Sequence, residues 1–494
     1  MGRAAEAQRG RDVRIALIKP PIGGILGLEM LTLVEPLGLE CVAGALEVEG
    51  HECRVTDLRL EDFEEGLAAA RDFGPDVVGI QCNFTTERNR AVRVAKRVRE
   101  LLPDAVVMIG GHDASRDPAW FAQPAFDIVA IGDGEEVVPL LVTALAEKRS
   151  LDGVPGIAIN GPMGQRRTEG CVPRRELDDL PLPARHLIAR HADEYYINFR
   201  RPLALLETAR GCPYRCNFCS VWKFHEKTFR EKSPERVVQE LATIEAPNVF
   251  ITDDIFWLNP RRGMELAQAL KASGIRKFFT VQTRTDLIVR HPELIEAWKD
   301  CGNLAIFLGV EKVDDAGLAA VNKKNLADNN VQAIRLLKEM GVGFTSNFIV
   351  DPAWDHDDFT RLRDWIDEHG AYNSGFSVLT PLPGTDLWDS TVDQVTTRDW
   401  ERFDIVHAVL PTRLPLPEFY KEYARLWAWS LEVRGAHRGR LATWFGLVSA
   451  LATGRVRWSA VRKGMMLARV FSDANTFLKA HEGDEGAVRE GRAA

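Results

Sequence analysis

Cysteine is scarce in this chain and badly spaced for disulfides, with eight residues among 494, at Cys41, Cys53, Cys82, Cys171, Cys212, Cys216, Cys219 and Cys301. No signal peptide is recognisable, so this irregular set describes a reducing compartment, and the expectation is a cytoplasmic protein. Internal repeats and low-complexity tracts are also missing, which excludes solenoids and disordered scaffolds. No apolar run reaches the roughly twenty residues that a membrane-spanning helix needs. A formal charge of −8 and the absence of a recognised binding motif argue against a nucleic-acid partner. What remains is a chain 45% apolar, long enough to bury two α/β cores and a helical cap.

Three of the eight cysteines stand together in "ETARGCPYRCNFCSVW", residues 207–222, as Cys212, Cys216 and Cys219. A structural zinc site closes its coordination with four protein ligands. No second pair exists here, and Cys171, the nearest of the others, has no histidine or cysteine around it. Three thiolates suit an iron–sulfur cube that leaves one iron open to another ligand. A zinc knuckle or chance spacing is the competing reading.

The surroundings alternate. "PLALLETARGC" is an apolar run entering a turn, and "NVFITDD" (248–254), "FFTVQTRTD" (278–286), "LAIFLGVEKVD" (304–314), "VGFTSNFIVD" (342–351) and "SGFSVLTPLPGT" (374–385) repeat the pattern. Helical stretches such as "SPERVVQELATI" separate them, with Ser233 as N-cap and Pro234 at the first helical position. Strand–helix alternation at this spacing predicts a parallel sheet curled into a partial barrel, with the cysteines on a loop at its carboxyl edge.

CxxxCxxC in this form resembles the signature of radical S-adenosylmethionine (SAM) enzymes. The resemblance implies a [4Fe-4S] cluster on Cys212, Cys216 and Cys219, with the amino and carboxylate groups of SAM on the open iron and Phe218 against the adenine. It further implies that one electron cleaves SAM to methionine and a 5′-deoxyadenosyl radical, an electron that a flavodoxin or ferredoxin supplies. Asp253 and Asp254 stand where that family has a glycine-glycine-glutamate motif meeting the SAM amino group, a departure from its pattern. Gln282, Arg284, Asp286, Glu311 and Asn347 are the other strand-end residues that the resemblance aims at SAM; ordinary loop formation is the alternative for each.

Residues 12–136 contain five further strand candidates: "DVRIALIKPP", "HECRVTDLR", "DVVGIQCNF", "AVVMIGGHD" and "DIVAIGDGEE". Helical patterns such as "EPLGLECVAGALEVEG" lie between them, which describes a doubly wound, Rossmann-like α/β domain. Glycines Gly110, Gly111, Gly132 and Gly134 follow strands, where a missing side chain lets a ligand approach or simply permits a tight turn. This order of elements ahead of a radical SAM core resembles the cobalamin-binding domain of B12-dependent radical SAM proteins. Cobalamin would then lie against Cys82, Asn83, Thr85, Gly110, Gly111, Gly132 and Gly134. The family's DxHxxG loop is absent, because residues 19–38 contain no histidine, so cobalamin is expected to bind without a histidine lower ligand. His51 and His112 are read as structural or solvent-facing.

After residue 400 the strand pattern gives way to helix. Between Lys421 and Phe471 there are ten lysines and arginines against two glutamates, with Trp427, Trp429, Trp444 and Trp458 among leucines. The run "LATWFGLVSALATG" (441–454) suits either a cap on the barrel or peripheral contact with the inner membrane face. "EPLGLE", "CNFCSVW", "NVFITDDIFW", "FLGVEKVDDAGL", "NFIVDPAWD" and "VLTPLPGTDLWD" together look like the hopanoid C-3 methylase branch of the cobalamin radical SAM family. That likeness implies a methyltransferase acting on an unactivated carbon of a hopanoid, another lipid or a small molecule. The alternatives are a cyclase or natural-product methylase with the same cofactors, and a non-catalytic iron–sulfur or cobalamin sensor. A methylthiotransferase would need a second cysteine triad, and Cys41, Cys53 and Cys82 do not cluster. The expected division is a tail at 1–12, a cobalamin-binding domain at 13–150, a linker at 151–195 with an edge hairpin from "VPGIAING", a radical SAM core at 196–400, a helical domain at 401–480 and a tail at 481–494.

Overall fold

A computed structural model describes residues 12–23, 32–170, 176–198, 200–437 and 458–482. Two compact units account for them: residues up to 23, 35–191 and 223–226 form the first, and the remainder the second.

In the first unit, β1 (Arg14–Lys19), β2 (Glu52–Asp57), β3 (Val77–Gln81), β4 (Val106–Gly110) and β5 (Ile128–Ala130) are parallel and ordered β2-β1-β3-β4-β5. They are short runs rich in β-branched residues, as parallel strands covered on both faces must be. Ala16, Ile18, Val78, Ile80, Val107 and Ile109 pack on Leu67, Ala70, Val94 and Val98 from helices Phe63–Phe73 and Arg88–Leu101. The intervening strand residues face the other way by the period of two. An antiparallel hairpin, β6 (Ile157–Gly161) and β7 (Gly164–Arg167), extends the sheet beyond β5 through the pairing Val129↔Ala158. Part of the segment read as a linker is therefore hydrogen-bonded sheet. Strand order reverses between β1 and β3, and the crevice outside their carboxyl ends is where such sheets take ligands.

The second unit holds six parallel strands in sequential order: β8 (Leu203–Leu206), β9 (Asn248–Ile251), β10 (Lys277–Arg284), β11 (Gly302–Glu311), β12 (Gly343–Val350) and β13 (Ser374–Val378). Helices Pro234–Ala242, Pro260–Ser273, Pro292–Cys301, Ala327–Glu339 and His356–His369 connect them. Ser233 Oγ accepts the Arg236 amide at 3.1 Å, the N-cap read from sequence. Val281, Ile306, Leu308, Val310, Phe348 and Val350 face the helices and form the core. Gln282, Arg284, Phe307, Gly309, Glu311 and Asn347 alternate with them and so line the opposite, inner face.

The outer edge of β13 does not stay open. Tyr423 Oη donates to the Phe376 carbonyl at 2.8 Å, Arg434 Nη2 to Ser374 at 2.8 Å, and the Val378 amide to Ile405 at 2.6 Å. Tyr423 and Arg434 come from helix Leu416–His437, so this helix both covers and terminates the sheet. Trp427 packs on Phe376 and Phe471, with ring centroids 5.1 and 4.9 Å apart, and so lies half-buried against the core. Trp429 also packs against this core. Trp444 and the run 441–454 lie outside the described residues, as does the Trp458 side chain. Among the described residues no helix is long and apolar enough to cross a membrane.

Helix Ala474–Glu482 is docked by a bond between His481 Nδ1 and Tyr420 Oη at 2.8 Å. Burial lowers the His481 pKa from 6.5 to about 4, helped by His407 and Arg402. A histidine held neutral in the fold takes up protons first when released, so its contribution is present above pH 6.5 and is lost on acidification toward pH 4. The gap in melting temperature between the wild type and His481→Gln is expected to narrow from pH 7 to pH 5. A constant gap would show that the imidazole carries none of the pH dependence.

Candidate functional site

The cysteine loop leaves the carboxyl end of β8 and is braced before it begins. Asp253, just past β9 and 2% exposed, accepts the amides of Thr208 at 2.6 Å and Ala209 at 3.0 Å on one oxygen, and the Thr208 hydroxyl at 2.5 Å on the other. Arg262 donates to the Thr208 carbonyl at 2.9 Å and to the Lys232 carbonyl at 2.8 Å. Ala209–Arg210 then pairs antiparallel with Arg230–Glu231, so that the loop leaves and returns at one point. Gly211, at φ 89°, turns the chain into Cys212 through a left-handed conformation that suits glycine, and its amide donates to Asp254 Oδ2 at 3.0 Å.

The far side of the loop is pinned as firmly. The Asn217 amide donates to the Val321 carbonyl at 3.1 Å, its Nδ2 to Ala320 at 3.0 Å, and Asn322 Nδ2 to the Arg215 carbonyl at 2.6 Å. Trp222 Nε1 reaches the Cys216 carbonyl at 3.2 Å, and the Leu387 amide reaches Asn217 at 2.8 Å. Tyr214 lies under the Arg284 guanidinium at 3.7 Å, and Arg284 is itself held by Asp286 Oδ1 at 2.8 Å.

Burial raises all three thiols, Cys212 to about 11 and Cys219 to about 12. Cys212 also feels the negative charge of Asp254 and Cys216, and Cys219 that of Cys216, Asp254 and Cys212. Without a metal these groups stay protonated, and a metal that binds them must displace the protons. Lys323 and Arg284 favour the thiolate at Cys216, and Arg284 does so at Cys212. Three coupled soft donors beside two fixed cations match an anionic iron–sulfur cluster. Among the described residues no three His, Cys, Asp or Glu groups converge as a site for a metal ion. Cube ligands bind separate irons and need not converge in that way.

The strand-end residues divide by what the fold asks of them. Asp253 is committed to the loop brace, and burial raises its carboxyl to about 6. Asp254 is raised to about 7, first by burial and then by Glu207 and Asp253. Arg284 and Glu311 act electrostatically on Cys216, so the fold brings them together with the cysteines. Gln282 donates to the Asp253 carbonyl at 3.0 Å. Asn347 pairs in register with Gly309 and Gly375, and a side chain at Gly375 would lie 2.9 Å from its Oδ1. Phe218 is half-buried between Cys216 and Cys219. Sequence reasoning missed Thr208, Tyr214, Asn217, Arg262 and Lys323; their partners are distant along the chain, so no local pattern marks them.

In the first unit the carboxyl edge is built largely from its own contacts. Cys82 is fully buried beside Phe84 and Asp113, and Thr85 Oγ1 donates to Asp113 Oδ1 at 2.7 Å. Asn83 Oδ1 accepts the His112 amide at 3.2 Å. A side chain on Gly111, at φ 110°, would come within 2.5 Å of Asn83 Oδ1, so packing alone requires this glycine. Gly132, at φ 99°, differs, because a side chain there would meet nothing within 4 Å. That open space lies at the carboxyl end of β5, next to the start of helix Gly134–Ala146, and leaves the backbone accessible to a ligand. His51 precedes β2 at the opposite edge, where its Nδ1 accepts the Val13 amide at 3.4 Å. His112 packs on Phe224 with the rings tilted and their centroids 4.5 Å apart, and burial holds its pKa at about 3.

Comparisons with known proteins agree with this division. A family model described as B12 binding domain matches residues 23–142, and one described as Radical SAM superfamily matches residues 206–366. Hopanoid C-3 methylase of Methylococcus capsulatus is 37% identical over 398 residues, covering 79% of this chain and 75% of that protein. Anaerobic magnesium-protoporphyrin IX monomethyl ester cyclase of Rubrivivax gelatinosus is 26% identical, covering 78% and 71%. The radical SAM methyltransferase TsrM of Kitasatospora setae, solved with cobalamin and a [4Fe-4S] cluster, superimposes with a TM-score of 0.63 at 20% identity, covering 78% of each chain. The cobalamin-dependent SAM radical enzyme OxsB, with aqua-cobalamin and SAM bound, gives 0.69 at 15% identity, covering 98% of this chain and 80% of that one.

Proposed function

This chain belongs to the cobalamin-dependent radical SAM methyltransferases, and on that premise we propose that it transfers a methyl group to an unactivated carbon of a hopanoid. The observation that carries the substrate is the 37% identity to a hopanoid C-3 methylase over most of both chains. When bound, the cluster with SAM supplies a carbon-centred radical, and cobalamin supplies the methyl group.

The chain's own part is to hold and shield. Cys212, Cys216 and Cys219 are the cluster ligands in this reading. The Asp253–Thr208–Arg262 brace and the residue 320–322 clasp keep their loop from yielding when the metal is lost or gained. Arg284, Glu311, Gln282 and Asn347, on the inner face of adjacent strands, are the polar groups available to SAM, with Asp254 and Phe218 on the loop side. The three cysteines are half-buried, which limits the access of water and oxygen to the cluster. Cobalamin would rest at Gly132 and its neighbours Gly110, Gly111 and Gly134, and residues 19–38 offer it no histidine ligand. A low-potential one-electron donor, such as a flavodoxin or ferredoxin, must supply the electron for SAM cleavage.

The test is lipid mass spectrometry on a hopanoid-producing host that lacks its own C-3 methylase and expresses this chain with cobalamin under low oxygen. A hopanoid heavier by one CH₂, labelled from methionine, is expected. Unchanged hopanoids alongside active, SAM-consuming protein would refute the substrate while leaving the family intact. A product that gains a ring and no methyl would favour cyclisation, the activity for which the Rubrivivax relative is named.

A further inference from the structure

The turn that clasps the cysteine loop ends in a buried lysine. Ala320, Val321 and Asn322 bond to Arg215 and Asn217, and Lys323, the next residue, is 5% exposed. Its Nζ donates to the Gly309 carbonyl at 2.7 Å and to Glu311 Oε1 at 3.0 Å. Both acceptors sit at the end of β11, where the strand register shifts between Gly309 and Glu311. Glu311 has φ 67°, a backbone that a residue other than glycine keeps only when its surroundings impose it. The lysine pins both ends of that irregularity. Buried this deeply, its charge acts through a much lower dielectric than water. Val321 and Asn322 bond to Asn217 and Arg215, the two residues that flank Cys216, so Lys323 continues directly from the turn that holds this cysteine in place.

We propose that Lys323 is a positioning residue which, with Glu311 as its counter-charge, sets the reduction potential of the cluster held by Cys212, Cys216 and Cys219. The proposal rests on reading those cysteines as cluster ligands. One-electron reduction makes the cluster more negative, so a fixed cation beside it raises the potential and a fixed carboxylate lowers it. Two opposite charges 3.0 Å apart therefore predict shifts of opposite sign. Loss of packing has no reason to produce that pattern.

The experiment uses the full chain, purified anaerobically and reconstituted with iron and sulfide, without SAM. Iron content is measured, and the cluster midpoint is followed by electron paramagnetic resonance during redox titration. Lys323→Met is expected to move the midpoint to more negative values, Glu311→Gln to more positive values, and Lys323→Arg to stay with the wild type. A wild-type protein that binds no iron would sink the cysteine reading itself. With the cluster present in the wild type, equal midpoints in all variants, or a common direction for Lys323→Met and Glu311→Gln, would overturn the role of the pair. If Lys323→Met does not fold or load iron, the other two variants decide, since the proposal requires an upward shift in Glu311→Gln and none in Lys323→Arg.

Discussion

Replacing any one of Cys212, Cys216 and Cys219 by alanine is expected to reduce 5′-deoxyadenosine formation from SAM by at least about 10³-fold, or about 4 kcal/mol of barrier. Three thiolates leave one iron for SAM, and two leave a cluster that cannot be held with that iron alone exposed. Iron content should fall with the activity. The fold should survive, because the loop is pinned through Asp253, Asp254, Asn217 and Asn322 and not through the thiols. After anaerobic purification, chromatography of the nucleoside product, iron analysis and circular dichroism read all three quantities. Deoxyadenosine formed at the wild-type rate by Cys216→Ala would remove the cluster from this loop.

Asp253→Ala should be the most damaging change outside the cysteines, and it should act through structure. Its carboxylate takes the Thr208 and Ala209 amides and the Thr208 hydroxyl in a site 2% exposed. Truncation leaves those donors without their acceptor and removes one of the carboxylates near the buried Arg262 guanidinium, which keeps Glu231 at 3.7 Å. Losing one member of such a network costs on the order of 3–5 kcal/mol. The expected result is a lower urea midpoint and failure to retain iron. Asp253→Asn, which keeps an acceptor for the two amides, should recover much of the stability. If the asparagine variant is stable and iron-loaded but SAM binds weakly, the carboxylate also meets SAM; if SAM binds normally, its role ends at the brace.

Much of the architecture was legible because its causes are local. Ser233 and Pro234 start a helix by capping and by a preset φ. Val77–Gln81 and Val106–Gly110 announce buried parallel strands by composition, and CxxxCxxC places three thiols on one short loop whatever the rest does. Asp253, by contrast, looked like a ligand because it ends a strand, and only folding put Thr208, far behind it in sequence, against its oxygens. Gly111 and Gly132 read alike as strand-end glycines. One is demanded by Asn83 and the other faces open space, a distinction set by neighbours that local pattern does not encode.

The same division holds at the C-terminal end of the described chain. Trp427 was compatible with a membrane surface or with a core, and contact with Phe376 and Phe471 decided for the core. By itself the sequence determined the two α/β units, the cysteine triad and, by likeness to known enzymes, the cofactors, since periodicity, capping and motif spacing act over a few residues. Tertiary structure alone decided which charged groups brace the loop and which face the cysteines. Hydrogen bonds and charges act through space, and it is the fold that brings Lys323 to Glu311 and the Asn322 clasp to Arg215.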